Sequence, residues 1–248
     1  MRIFILDKSY SGESDYILRK REKDYLIKVL RLKVGDIFTC KDINNNYYDA
    51  SIISEDMLSL TPTENPEEHL LDSFSAYRDA IPPIRVYQAI CKGKKNETII
   101  RMLTEAGVEE IVFITSQFSQ EKGFKEHDLR RLSDIQKEAV QQSGSNTKVR
   151  DIRVIDIKDV ISDSPYPIFF LHQSSRGKTQ NLLEALKNIK SYEISIIIGS
   201  EGGISDEECE FLENNNATPI LLPTNILRAE TAGIFAIGAI ETLLSNQL

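Results

Sequence analysis

The sequence predicts an α/β fold in which a mostly parallel sheet, covered by helices, follows a small β-rich domain. Three observations support this prediction. Strand-like and helix-like segments alternate from residue 84 onward, the first 62 residues contain short strand-like runs with one helix, and four prolines lie between residues 61 and 83. Alternation of strands and helices is typical of parallel sheets, because each parallel pair needs a crossover connection.

The first 62 residues predict a small β domain. Strands are predicted at residues 2–6, 36–41, 47–53 and 58–61, and a helix at about 22–30. Between residues 61 and 83 the periodicity disappears and the prolines collect. We therefore place the domain boundary near residue 72, which divides the chain into domains at 1–72 and 73–248.

From residue 84 onward, apolar strands alternate with amphipathic helices. The predicted strands are residues 84–90, 110–115, 149–157, 168–171, 194–199 and 219–222. The predicted helices are residues 96–106, 128–143, 179–189, 205–214 and about 230–244. The last helix is apolar on nearly every side, which predicts burial in the core or in a subunit interface.

Net charge makes nucleic-acid binding depend on local features. The chain carries a formal charge of −8, whereas binding to RNA relies on the neutralisation of phosphates. One segment is strongly basic and supplies candidate RNA contacts at Arg19, Arg21, Lys28, Arg31 and Lys33. From charge alone, a solvated helix face is an equally good interpretation of this segment.

Neither a membrane span nor a metal site is predicted. The longest apolar runs are far shorter than the roughly 18–20 residues that a span needs, and the N-terminus has no signal-peptide pattern. We therefore expect a cytoplasmic protein without a membrane partner. Cys40, Cys91 and Cys209 are widely spaced and odd in number, which excludes a disulfide framework and a CxxC metal site.

A glycine-rich segment is the first candidate ligand site. Gly199-Ser200-Glu201-Gly202-Gly203 follows an apolar strand and precedes a helix that Ser205 is predicted to cap. Ligands of open α/β sheets bind at the carboxyl ends of strands, where glycines allow the backbone to approach closely. The alternative is a tight strand-to-helix turn without a ligand.

Charged residues before the last helix form a second candidate. Arg228 and Glu230 lie two residues apart in a loop beside a wholly apolar helix, where charges need partners or a task. An ion pair between them that caps the helix is nearly as good an interpretation. His172 also ends a predicted strand, but a lone histidine is more often a hydrogen-bonded structural residue.

A phosphate-binding loop is a less favoured alternative at residues 172–179. Arg176-Gly177-Lys178-Thr179 resembles the end of a GxxxxGK[ST] loop and lies between a predicted strand and helix. The first glycine of that pattern would fall on His172, so the cradle of backbone amides is incomplete.

Taken together, Leu171-His172, residues 198–203 and Ile226-Leu227-Arg228-Ala229-Glu230-Thr231-Ala232 occur in the order and spacing of a known family. They resemble the RsmE family, ribosomal small-subunit RNA uracil-N(3) methyltransferases of the SPOUT class. Lys92-Gly93, residues 104–108, residues 138–144 and residues 29–36 resemble other signatures of that family. The resemblance covers almost the whole chain.

The resemblance implies a PUA-like β-barrel that binds RNA, followed by a SPOUT domain with a trefoil knot. It further implies a homodimer, the cofactor S-adenosyl-L-methionine and a substrate in 16S ribosomal RNA, either free or in the assembled small subunit. The implied cofactor-binding residues are Leu171, His172, Gly199, Ser200, Glu201, Gly202, Gly203, Leu222, Ile226, Leu227, Arg228, Thr231 and Ala232. Lys92 joins the candidate RNA contacts. The chain departs from the family pattern at Ser145, Ser200, Pro223 and Asn225.

Methylation of uracil N3 requires loss of a weakly acidic imide proton, so the site should supply a base or stabilise the anion. The candidate catalytic residues are Arg228, Glu230 and Glu201. Arg228 suits stabilisation of a uracil carbonyl oxygen, and Glu230 or Glu201 could accept the proton. Two other functions remain open, namely an RNA-binding module without catalysis and a nucleotide-binding enzyme that uses residues 172–179.

Overall fold

The computed structural model describes residues 3–64, 83–174, 176–177, 179–187, 189 and 193–245. These residues form two compact units. The amino-terminal unit contains the described residues up to 64 together with Gln141–Gly144, and the carboxyl-terminal unit contains the others from residue 83 onward. The predicted boundary near residue 72 and most of the proline-containing segment lie outside the described residues.

The amino-terminal unit contains a five-stranded sheet. Its strands are β1 (Phe4–Ile5), β2 (Asp15–Ile17), β3 (Ile37–Lys41), β4 (Tyr47–Ser54) and β5 (Met57–Pro62). The strand order is β1-β3-β4-β5-β2, in which β1 pairs with β3 in parallel and the other pairs are antiparallel. The sequence did not predict β2, because three residues are too few to show an alternating pattern.

A short helix interrupts this sheet between β2 and β3. Helix α1 (Lys20–Asp24) continues directly into a π-helical turn at Tyr25–Val29, in place of the single helix predicted at about 22–30. Leu26 is fully buried in the core of this unit, which fixes the turn against the sheet. The chain leaves the turn at Arg31, whose φ of 59° lies in the left-handed region.

The carboxyl-terminal unit contains a six-stranded sheet in which every pair is parallel. Its strands are β6 (Ile84–Ala89), β7 (Glu110–Thr115), β8 (Val154–Asp156), β9 (Ile168–Leu171), β10 (Ile194–Ile198) and β11 (Thr218–Ile220). The strand order is β11-β9-β10-β6-β7-β8. The prediction of an α/β fold with a parallel sheet is confirmed.

Helices connect these strands. They are α2 (Lys95–Ala106), α3 (Glu126–Ser143), α4 (Val160–Asp163), α5 (Leu182–Lys187), α6 (Asp206–Asn214) and α7 (Ala229–Ser245). The predicted terminators are present: Gly107 closes α2 with a φ of 89°, and Ser205 and Glu208 form a capping box at the start of α6.

Two predicted elements are longer than the observed ones. The strand predicted at 149–157 pairs with β7 only over Val154–Asp156, and Ile157–Asp159 instead forms a 3₁₀ turn that leads into α4. The helix predicted at 179–189 is α5, which begins at Leu182. β8 is the edge strand of its sheet, so it has one neighbour and little pairing to extend it.

The sheet separates two hydrophobic clusters because successive side chains of a strand point to opposite faces. Ile196 and Ile198 contribute to a cluster with the inner faces of α2 and α7, whereas Ile197 joins a second cluster with α6. The apolar helix α7 is therefore buried along much of its length, although Phe235 is 45% exposed. Since all six strands are parallel, the loops that follow them emerge at one edge of the sheet.

Candidate functional site

An open cavity lies at the carboxyl ends of three neighbouring strands, β9, β10 and β11. The space between its walls, together with the solvent at its open mouth, is about 820 Å³. Its walls come from the loops that follow these strands and from the first turn of α7. The parallel strand order therefore brings together segments that lie far apart in the sequence.

Ten of the predicted cofactor-binding residues line this cavity, namely Leu171, His172, Gly199, Ser200, Glu201, Gly203, Leu222, Ile226, Leu227 and Ala232. Gly202, Arg228 and Thr231 are not among its lining residues. Eight other lining residues were not predicted to bind the cofactor, and they are Gln173, Ile198, Ile204, Ile220, Leu221, Thr224, Asn225 and Ala229. Most of them are apolar residues at or near the ends of strands, and such residues do not indicate a ligand from the sequence alone.

The glycine loop (residues 199–203) folds back on itself at the end of β10. The backbone N–H of Gly203 donates to the carbonyl oxygen of Ser200 at 2.9 Å, and Gly203 has a φ of 77°. A Cβ atom at Gly199 would lie 2.8 Å from the carbonyl carbon of Gly203, so a side chain there would force the loop open. The Oγ of Ser200 is buried and has no hydrogen-bond partner in the described part of the chain.

The neighbour of Gly202 is the side chain of Phe118, whereas a role in cofactor binding would place the cofactor beside it. A Cβ atom built there would lie 2.8 Å from the Cβ of Phe118, a residue of the loop after β7. The glycine is thus explained by the close approach of Phe118.

Glu201 is held by the loop that follows β6 and by the first residue of α2. The ammonium of Lys95 donates to its Oε1 at 2.7 Å, and the backbone N–H of Lys92 donates to the same oxygen at 3.1 Å. Partial burial would raise the pKa of Glu201, but these hydrogen bonds outweigh it and lower the pKa below its usual value. A carboxylate with a lowered pKa is a weaker proton acceptor, so Glu201 suits a fixed negative charge better than a general base.

Arg228 and Glu230 do not form the ion pair that the helix-cap interpretation requires. The guanidinium of Arg228 is exposed and has no hydrogen bond or ion pair within the described residues, whereas its carbonyl oxygen accepts the backbone N–H groups of Thr231 and Ala232. Glu230 is half-buried, and its Oε2 atom has no partner among those residues. Arg228 and Glu230 are therefore not neutralised by each other, and neither is among the residues that line the cavity.

His172 connects two strands at the floor of the cavity. Its backbone N–H donates to the carbonyl oxygen of Ile220 at 3.0 Å, and its Nδ1 lies 2.9 Å from the carbonyl oxygen of Ser174. The side chain is half-buried and lines the cavity. The histidine therefore has the hydrogen bonds expected of a structural residue at a position where a ligand can also reach it.

The segment at 172–179 offers little support for a phosphate site. Arg176 forms ion pairs with Asp206 at 2.7 Å and with Glu213 at 2.6 Å, so its charge is already neutralised. Lys178 lies outside the described residues.

Acidic neighbours neutralise part of the basic segment in the amino-terminal unit. Arg19 pairs with Asp7 at 2.7 Å, and Lys28 pairs with Asp24 at 2.7 Å. Arg21 is exposed, as are Arg31 and Lys33, and the latter two make no ion pair within the described residues. The unpaired positive charge of this basic segment is therefore smaller than its own sequence suggests. Asp7, which neutralises Arg19, lies outside the segment.

The described residues hold no cluster of three or more His, Cys, Asp or Glu side chains suited to a metal ion. All three cysteines are buried and free. Within the same residues, no helix is both long and apolar enough to cross a membrane.

Comparison with known proteins identifies the family. The sequence profile of a family described as "RNA methyltransferase domain" matches residues 79–241. The chain belongs to this RNA methyltransferase family. The matched region begins just before β6 and includes every loop that lines the cavity.

Relatives of this RNA methyltransferase share nearly its full length. A protein of Rickettsia conorii named Ribosomal RNA small subunit methyltransferase E is 27% identical over 248 residues, which covers 99% of this chain and 96% of that protein. A Bacillus subtilis protein of the same name is 27% identical and covers 89% and 87%, respectively. These relatives confirm the family resemblance predicted from the motifs.

The fold is shared with a solved relative. The crystal structure of a Ribosomal RNA small subunit methyltransferase E from Neisseria gonorrhoeae, bound to S-adenosyl methionine, matches with a TM-score of 0.72 and 22% identity. The match covers 98% of both chains.

Proposed function

We propose that this protein transfers a methyl group from S-adenosyl-L-methionine to N3 of a uracil in 16S ribosomal RNA. The observation that carries the proposal is the cavity at the ends of β9, β10 and β11, where three separate family motifs converge. The names of the full-length relatives support a small-subunit RNA substrate, and the Neisseria gonorrhoeae structure supports the cofactor.

The chemistry of the cavity fits S-adenosylmethionine. Ile198, Ile220 and Leu222 offer an apolar wall suited to an adenine ring, and the folded glycine loop presents backbone groups beside it. The buried Oγ of Ser200 lacks a partner in the described chain and could bond a polar group of the cofactor. When bound, S-adenosylmethionine supplies a methyl group activated by its sulfonium charge.

The charged residues around the cavity suit the chemistry of the uracil ring. As the imide proton leaves, negative charge develops on the ring, and the unpaired guanidinium of Arg228 can stabilise it at a carbonyl oxygen. Glu230 has a carboxylate oxygen without a partner in the described chain and is our candidate to accept the N3 proton, directly or through water. Glu201 is assigned a positioning role, because Lys95 and Lys92 already occupy its carboxylate.

The family suggests finer features that we include in the proposal. They are a SPOUT domain with a trefoil knot at 73–248, a PUA-like barrel for RNA at 1–72 and a homodimer. The mostly antiparallel sheet of the amino-terminal unit supports the second. Exposed Arg31 and Lys33 are the strongest candidates for phosphate contacts in that unit, and Lys92 is the candidate in the other.

Mass mapping of modified nucleosides tests the proposal. Unmodified 16S ribosomal RNA, free or in small subunits, is incubated with the protein and S-adenosylmethionine, and we expect one new 3-methyluridine. Calorimetry on the same protein should show binding of S-adenosylmethionine. RNA binding without cofactor binding would identify an RNA-binding module and refute the enzyme.

A further inference from the structure

An exposed aromatic side chain lies against the glycine loop. Phe118, in the loop after β7, is 46% exposed. The Cβ atom that Gly202 lacks would lie 2.8 Å from the Cβ of Phe118 and 3.3 Å from its Cγ. The phenylalanine therefore packs directly across the backbone of Gly202, while nearly half of its surface remains open to solvent.

The loop that carries Phe118 is anchored on both sides. The backbone N–H of Gln117 donates to Oε1 of Glu208, the capping residue of α6, at 2.6 Å. The Oε1 of Glu121 accepts the backbone N–H of Gly93 at 3.3 Å. These bonds connect the loop to the segments after β10 and β6, so the ring is held in place while it stays exposed.

The segment after β6, to which this loop is bonded through Glu121, carries two exposed cations. Lys92 and Lys94 flank Gly93 at the same edge of the sheet, and their exposed ammonium groups make no ion pairs with the described residues. An exposed, fixed aromatic ring in a region that also presents unpaired cations is an arrangement with which proteins bind single-stranded nucleic acid. The ring stacks on a base while the cations hold the backbone.

We propose that Phe118 is a stacking platform for a nucleobase of the RNA next to the base that is methylated. This inference rests on the proposed function, because it assumes that RNA is the substrate. A target base must leave its stack to reach the cavity, and a stacked neighbour on Phe118 would hold the RNA in the opened form. Because every base has a π-face, this contact contributes affinity without selecting a sequence.

Paired substitutions separate stacking from packing. Phe118→Leu keeps apolar contact with Gly202 but removes the π-face, whereas Phe118→Tyr keeps both. We expect the KM for unmodified 16S ribosomal RNA to rise roughly tenfold in Phe118→Leu and to stay near wild type in Phe118→Tyr. The Kd for S-adenosylmethionine should be unchanged in both variants. A wild-type KM in Phe118→Leu, or a parallel loss of cofactor affinity, would overturn the proposal.

A fluorescence measurement tests the contact without requiring turnover. The chain contains no tryptophan, so Phe118→Trp introduces a single reporter. Emission should be quenched as 16S ribosomal RNA is added, because a base stacks on the indole. The control is Phe211→Trp on α6, a half-buried position that should not respond.

The outcomes distinguish this inference from the proposed function. Quenching at position 118 without any methyl transfer would support stacking and contradict the proposed catalysis. Methyl transfer with no quenching, or equal quenching at positions 118 and 211, would overturn the stacking role and leave the catalysis intact.

Discussion

At the amino-terminal end of the six-stranded sheet, Arg85 pairs with Glu110 at 2.7 Å and Arg153 pairs with Asp163 at 2.8 Å. At the carboxyl-terminal end, by contrast, the guanidinium of Arg228 has no such partner in the described chain. At the first end the arginines are paired with carboxylates, whereas the second end combines the ion pair of Lys95 and Glu201 with an unpaired guanidinium at Arg228. Charged residues occur at both ends, so the absence of a partner, rather than charge itself, makes Arg228 the candidate for ligand binding.

The paired end extends beyond these two ion pairs. The hydroxyl of Tyr87 donates to Oδ2 of Asp163 at 2.8 Å, and the hydroxyl of Tyr166 donates to Oε2 of Glu109 at 2.8 Å. The hydrogen bond from Arg153 lowers the pKa of Asp163, against the effect of partial burial. The charged form of Asp163 is therefore stabilised by a neighbouring donor.

Breaking the network should have the largest effect on stability. Glu110 is 5% exposed in its side chain and lies between Arg85 and Arg153, so Glu110→Leu leaves both guanidinium groups without this partner. We expect the free energy of unfolding to fall by about 3–5 kcal/mol in urea titrations. The control, Arg130→Ala, breaks an exposed pair with Glu126 and should cost less than about 1 kcal/mol. If the free energy of unfolding falls equally in the two variants, the paired network at this end of the sheet is not what stabilises the protein.

Removal of Arg228 should reduce catalysis without reducing stability. If this guanidinium stabilises charge that appears only in the transition state, Arg228→Ala lowers kcat by roughly 10²-fold and leaves the Kd for S-adenosylmethionine unchanged. Arg228→Lys should recover little, because an ammonium lacks the planar pair of donors. Tm and single-turnover methylation are measured on the same samples. Normal turnover in folded Arg228→Ala would exclude the catalytic role.

Lys95 should influence the cofactor through Glu201. Lys95→Ala removes a 2.7 Å hydrogen bond that holds the glycine loop, and we expect S-adenosylmethionine affinity to fall by roughly tenfold, the equivalent of about 1.4 kcal/mol. Lys95→Arg should restore part of it. A kcat that falls while the cofactor Kd stays constant would show that Lys95 contacts the reaction instead of the loop.

The contrast between paired and unpaired cations can be repeated in the amino-terminal unit. Arg31 and Lys33 have no ion pair in the described chain, whereas Arg19 and Lys28 do. Replacement of Arg31 and Lys33 by Ala should reduce the slope of log Kd against log salt for RNA by roughly 1–2. The matched Arg19 and Lys28 double variant should change the slope less, and the reverse order would show that these ion pairs open on binding.

The smallest expected effect is a change in the pH dependence of Tm when Asp163 is replaced. Because the folded protein lowers the pKa of Asp163, the stabilisation by its ionised form is complete above the unfolded pKa and is lost as the pH falls through the lower, folded value. Asp163→Asn should therefore flatten the decline of Tm below about pH 4. If Tm declines below this pH in Asp163→Asn as it does in the wild type, the ionisation of Asp163 does not contribute to stability.

Local patterns predicted much of the fold and the candidate site. Alternation of strands and helices predicted the parallel sheet, and the capping box at Ser205 and Glu208 was found in place. The motif residues around Gly199 and Leu227 converge on one cavity because they follow strands of the same direction. β2 and the π-helical turn escaped prediction, since neither has a sequence period long enough to read.

The α/β fold with its parallel sheet, the family and the loops that line the cavity could all be predicted from the sequence, since each depends on residues close together in the chain. Which charges have partners depends on the tertiary fold. Lys95 contacts Glu201, and Phe118 lies against Gly202, although the residues of each pair are far apart in the chain. The strand order brings them together. A local pattern contains the residue types but not the neighbours, and it is the neighbours that set the ionisation, exposure and freedom of each side chain.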